Sequence, residues 1–220
     1  MFLGHVGVGL ALKKAEPKLN VGWLVTASLF LDIVLWVLVL IGAEHVAIPP
    51  NYSDIHFLSF DFPYSHSLVA ALLYSALAFG VGCAVIRTSK RLRAGIILGA
   101  AVFLHWTCDW IEHTQDLPLA GSSTQKFGLG LWDQMPIALG IEISFAAVGL
   151  WLYLTHGAEI SSLRKWLIGL LTFFIAGMTV YGGLLAPAPP GETPLAVGSL
   201  ATNILVVVLY FSLDRRRTIQ

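Results

Sequence analysis

The chain has 220 residues, 56% of them hydrophobic and only 12% charged, with a mean hydropathy of +0.77. A soluble domain carries about 25% charged residues, so the composition excludes a water-soluble globule and points to an all-α polytopic transmembrane bundle. The 13 cations balance the 13 anions, which leaves no bulk attraction to nucleic acid, and the two cysteines, Cys83 and Cys108, fall in apolar segments rather than in a secreted disulfide framework.

Residues 1–12 are apolar but shorter than the about 20 residues a crossing needs. They are expected to form a half-helix dipping in beside Lys13 and Lys14. The lysines follow the apolar run instead of preceding it, so the segment does not read as a signal peptide. Six spans then follow, at roughly 21–43, 66–86, 94–113, 131–155, 166–186 and 195–213. Residues 1–220 therefore form one membrane domain, in which 1–155 carry the site and 156–220 supply two anchoring spans without ionisable groups.

The cations test this topology. One side holds Lys13, Lys14, Lys18, Arg87, Lys90, Arg91, Arg93, Arg164, Lys165, Arg215, Arg216 and Arg217, and the other only Lys126. That bias puts both termini in the cytoplasm. Trp23, Trp166 and Tyr210 are expected at the inner interface, with Tyr64 and Trp132 at the outer one.

Ionisable groups inside a membrane are costly and usually mark function. His105, Asp109 and His113 recur every four residues and so share one helical face. Imidazole and carboxylate together suit zinc and similar divalent ions. Asp32 stands in Leu31-Asp32-Ile33-Val34 with no charged neighbour in its span, which calls for a cation or a histidine partner. His66 stands at the outer mouth of span two, and His5 approaches mid-membrane only if its segment dips inward. Glu142 lies about 18 Å down span four from its outer end. Such residues can meet only in the outer half of the membrane, beneath loops 44–65 and 114–130. Glu44, His45, Asp54 and His56 read as solvated loop residues there, with Asp61 and Asp116 nearest the cluster in sequence. Cys108 reads as a packed apolar residue, and Gly7, Gly9, Gly95 and Gly99 as sites of close helix approach. Gly128-Leu-Gly-Leu lacks the lysine of a phosphate loop.

With Gly4-His5-Val-Gly-Val-Gly9, Leu29-Phe-Leu-Asp32, Tyr64-Ser-His66-Ser-Leu, Leu104-His105-Trp-Thr-Cys-Asp109 and Gly128-Leu-Gly-Leu-Trp132 assembled, the chain resembles the YdjM-like bacterial inner-membrane proteins, a family described as metal-dependent hydrolases. Spans five and six lie outside the resemblance. The order of these residues is also similar to the zinc site of soluble all-helical enzymes of the phospholipase C type. That resemblance implies His5, Asp32, His66, His105 and Asp109 as metal ligands for one or two divalent ions, zinc first among them. The later His-xxx-Glu pair of that pattern is missing, and Glu142 is its nearest substitute.

The expectation is thus a membrane-embedded hydrolase of a phosphoester or lipid-linked substrate, opening away from the cytoplasm. Water activated by the ion would attack the ester, with Asp109 or Glu142 taking its proton. Two other classes remain open. A metal-ion or proton transporter would also use buried His and Asp, although neither an inverted repeat nor a broken helix is evident in the sequence. A non-enzymatic scaffold that binds membrane partners would let His and Asp satisfy one another without metal.

Overall fold

The computed structural model describes residues 1–86, 90–157 and 160–215. The cations Arg87, Arg216 and Arg217 lie outside the described residues. In chain order, α1 (Phe2–Leu12), α2 (Val21–Ser28) and α3 (Phe30–Leu40) lead to a small hairpin of β1 (His45–Ala47) and β2 (Ser59–Asp61), with the turn α4 (Tyr52–Ile55) between its strands. Next come α5 (Leu68–Val85), α6 (Arg91–Glu112) and the short pair β3 (Leu117–Pro118) and β4 (Lys126–Phe127). A 3₁₀ turn at Leu131–Gln134 opens α7 (Met135–Leu152), which runs into a π turn at Tyr153–Gly157. The chain closes with α8 (Ser162–Leu184) and α9 (Glu192–Leu213).

Among the described residues, five helical stretches are long and apolar enough to cross a membrane, and α2 with α3 makes a sixth span if the bent pair is taken as one. This is a multi-pass helical membrane protein, with the spans where the hydropathy placed them. Side chains start several of these helices. Asn20 accepts the Gly22 N–H at 2.8 Å, and Ser67 accepts the Ala70 N–H at 3.1 Å, each satisfying a donor the helix leaves unpaired.

The half-helix is real and lies at the centre of the bundle. Leu3, His5, Val6 and Leu10 are fully buried, although an 11-residue helix could not be stable alone in water. Glycine makes this possible: a Cβ on Gly7 would sit 2.6 Å from the Phe145 backbone, and one on Gly149 would sit 2.1 Å from the Gly7 carbonyl oxygen. The backbones of α1 and α7 thus touch directly, as small residues allow in membranes. Gly9 meets Val25 of α2, and Gly95 and Gly99 meet Phe79 and Ser75 of α5, all four glycines serving close approach as expected.

Two expectations are corrected. The first span is broken, with α2 and α3 meeting at 53° around Leu29; neither proline nor glycine occupies the bend. Instead His105 reaches the Ser28 carbonyl at 2.6 Å, an intrusion into the helical ladder of the kind that kinks helices. Tyr210 does not sit in an interfacial belt; it is fully buried and hydrogen-bonded to Thr172 at 2.8 Å. Arg164 and Arg215 meet at one end of the bundle, and Met1 is buried beside Asp109. Loops 44–65 and 114–130 carry the two short hairpins, paired His45 to Asp61 and Leu117 to Phe127.

Candidate metal centre

Four elements converge on one point. From α6, His105 and Asp109 project together one turn apart, with Nε2 to Oδ2 at 2.9 Å. α1 delivers His5, whose Nε2 is 3.0 Å from Asp109 Oδ1 and whose ring stacks on His105 with centroids 3.6 Å apart. His66, immediately before the Ser67 cap of α5, brings its Nε2 to 3.2 Å from His105 Nε2. Asp32, in the first turn of α3, places Oδ1 3.7 Å from His66 Nε2 and 3.8 Å from His105 Nε2. The bend at Leu29 gives both groups their places: it frees a carbonyl for His105 and starts a new helix whose positive end carries Asp32.

The donor atoms fall into two overlapping groups, His5–His105–Asp109 and Asp32–His66–His105. Within each group they lie within 4.8 Å of one another. A tetrahedral zinc with bonds of about 2.0–2.1 Å holds its donor atoms about 3.3 Å apart, and the contacts above bracket that value. His5, His66, His105 and Asp109 are buried, while the Asp32 side chain is 19% exposed.

The donor chemistry fits a cation. A carbonyl can only accept, so His105 Nδ1 carries the proton it gives to Ser28, and in the neutral ring Nε2 keeps its lone pair. That lone pair faces Asp109 Oδ2, another acceptor, which is buried and has no hydrogen-bond partner. Two acceptors at 2.9 Å need a proton or a metal ion between them. The buried His/Asp group could hold such an ion.

Supporting contacts fix the cluster. Glu44, read from sequence as a solvated loop residue, is buried, and its Oε1 accepts the N–H groups of Tyr64 and Ser65 at 2.8 Å each. Those two bonds hold the turn that presents His66, whose own carbonyl accepts from Trp106 Nε1 at 2.9 Å. His113 is buried too, with Nδ1 on Asp116 at 3.0 Å and Nε2 3.9 Å from Asp109 Oδ1. The Gly128-Leu-Gly segment folds onto the end of α6, where Leu129 and Gly130 donate to the carbonyls of Trp110 and His113. It sets Trp132 against the His113 ring at 3.9 Å, so this tryptophan walls the site.

Glu142 stands apart from the two groups. It is buried on α7 and accepts the Gly4 N–H at 3.2 Å, at the open amino end of α1. Asp61, Asp54 and His45 are exposed in the β1–β2 hairpin and the turn between its strands. Cys108 is buried and belongs to neither group.

Sequence reasoning missed Glu112, which is fully buried and receives Trp132 Nε1 at 3.3 Å. Its signal was present, since 105, 109 and 112 continue one helical stripe. It also missed the part played by the last span. A cavity of about 520 Å³ opens over Asp32, His66 and Asp109, and Pro194, Leu195, Ser199 and Asn203 form its far wall.

The fold and the cluster define a class, a multi-pass helical membrane protein with a buried His/Asp group able to hold a metal ion. No family model, curated protein or solved structure matches the chain.

Proposed function

We propose that this protein is a membrane-embedded, metal-dependent hydrolase of phosphoesters, of the YdjM-like kind its motifs resemble. The observation that carries the reading is the convergence of five separated side chains in two overlapping groups, with Asp32, His66 and Asp109 fronting one cavity and His105 Nε2 held 2.9 Å from Asp109 Oδ2. A proton in place of the ion would make the same contact an imidazolium–carboxylate pair, the scaffold reading that metal content separates from this one.

His5, Asp32, His66, His105 and Asp109 would hold one or two divalent ions, zinc by preference of the donor set. A bound ion would supply charge neutralisation and water activation. The chain's own residues do the rest. Asp109 lines the same cavity as Asp32 and His66 and takes the water's proton ahead of Glu142, which lines the adjoining space. Trp36, Phe60 and Trp132 give the cavity apolar walls beside its polar groups. The cation-rich end would face the cytoplasm of an inner-membrane protein, so the cavity would open on the opposite side.

The break at Leu29 gives the transporter reading one supporting observation, since carriers use discontinuous helices. Against it, the core between the cluster and the cation-rich end is built from Val6, Leu10, Leu24, Val25 and Leu98, all buried and apolar.

The test compares metal content in detergent-purified wild type and a His105→Ala/Asp109→Ala variant, followed by phosphoester hydrolysis. About one or more zinc-class ions per chain are expected in the wild type and few or none in the folded variant. A wild type that stays metal-free after incubation with zinc or manganese overturns the reading. Metal binding with flux across vesicles but no hydrolysis would replace it with transport.

A further inference from the structure

The cavity over the cluster does not end there. A second space of about 560 Å³ adjoins it, and the two share Met1, Phe2, Phe60, Trp132, Ser199 and Thr202. The first is polar where Asp32, His66, Asp109 and His113 front it. The second is mostly apolar, with Glu142, His56 and Thr179 among the polar groups of its lining, and runs between α7, α8 and α9. Its floor is buried, formed by Leu139, Ile175 and Val206, while its walls at Phe174, Met178 and Leu205 are more than half exposed. In a bilayer, such walls open sideways to lipid.

Length identifies the occupant. The groove follows α8 from Gly183 to Leu171, which is about 18 Å of helix. That is close to half of the about 30 Å hydrocarbon core, the depth of one leaflet. Its mouth at Trp132 and Thr202 meets the cluster cavity. A ligand spanning both spaces has a charged or polar end at the His/Asp group and a single long chain along α8.

We infer that the groove between α7, α8 and α9 holds one hydrocarbon chain of an amphiphilic phosphoester whose head lies at the His/Asp cluster. This rests on the hydrolase reading and names its substrate class. It also gives the last two spans a task beyond anchoring: they bind the tail and admit it laterally from the membrane.

The probe is dodecyl phosphate with a diazirine at the chain end, photolysed with the full-length, metal-loaded protein in detergent and mapped by peptide mass spectrometry. Gly182 lines the groove, and a Cβ added there meets nothing within 4 Å, so Gly182→Trp can set an indole in the groove. Met178→Trp does the same from the wall, and Gly177→Trp adds equal bulk at an exposed position outside the groove.

Labelling is expected at Leu171, Phe174 and Leu209, toward the end of the groove away from the cluster, lost in both plugging variants and retained in Gly177→Trp. Unlabelled dodecyl phosphate should compete, and ethyl phosphate should not. Labelling spread over lipid-facing positions such as Phe173 and Val208, or unchanged by the plugs, overturns the inference. Groove labelling without turnover of any phosphoester would retain the groove and discard the hydrolase. Turnover of bis(4-nitrophenyl) phosphate at the wild-type rate in both plugging variants, with no groove labelling, would do the reverse.

Discussion

Glu44 shows how a single carboxylate at the edge of the fold governs the cluster. It touches none of the five converging side chains, yet its Oε1 accepts two N–H groups of the turn that carries His66. Removing it strands buried donors, at a cost of about 1–3 kcal/mol. Glu44→Ala is therefore expected to lower the melting temperature and the metal content together, whereas Glu44→Gln, which keeps an acceptor oxygen, should retain most of both. Thermal unfolding and elemental analysis of the two variants check this. Loss of stability with metal retained would show that the turn does not position His66. The identities of the converging residues were legible as costly groups in apolar spans. Glu44 was not, because a carboxylate next to Pro-rich loops reads as solvated until backbone donors are seen to close on it.

At the scale of elements, the centre of the bundle depends on a half-helix. α1 carries His5, and it reaches the cluster only because Gly7 and Gly149 let two backbones touch. A methyl at Gly149 would meet the Gly7 carbonyl at 2.1 Å, too close for any side-chain rearrangement to relieve. Overpacking of this kind costs about 1–3 kcal/mol or more. Gly149→Ala should destabilise the protein and displace His5, reducing metal retention. Gly140→Ala, on the same helix but with open space around it, should leave both unchanged. Equal behaviour of the two in melting and metal assays would show that the contact does not set the position of α1. The broken span belongs at this scale too. Nothing in Ser28-Leu29-Phe30 announces a 53° bend, and its cause lies in His105, 77 residues away along the chain.

Across the whole molecule, the end opposite the cluster is tied by a buried clasp. Asp214, at the end of α9, receives Lys13 Nζ at 2.5 Å, the Val21 N–H at 2.6 Å and the Tyr153 hydroxyl at 2.7 Å. One carboxylate thus joins the first helix, the broken span, the π turn and the last helix. Lys13 and Asp214 are 2% and 3% exposed, so Asp214→Ala removes the carboxylate from a buried ion pair. Loss of one partner of such a pair costs about 3–5 kcal/mol. Arg93 pairs with Glu16 at the same end, but its side chain is 56% exposed, and Arg93→Ala should change stability by no more than about 1 kcal/mol. Melting curves in detergent separate the two. An Asp214→Ala melt within error of wild type would remove the clasp from the account.

Amino-acid order by itself determined the class of protein, the six apolar stretches and the residues that are expensive to bury. Each follows from local quantities, since hydropathy, charge and helical spacing are properties of a segment and of the solvent around it. The cation bias likewise needs only the positions of Lys and Arg, and Lys13, Arg93, Arg164 and Arg215 do meet partners at one end of the bundle. Only the tertiary structure decided that α1 lies at the centre, that Glu142 serves the amino end of α1 apart from the metal-type groups, and that α9 walls the cavity. It alone also broke the first span. These features depend on contacts between residues far apart in the chain, made at distances set by glycine pairs and by single hydrogen bonds. No window of sequence contains both partners, so no periodicity could record them.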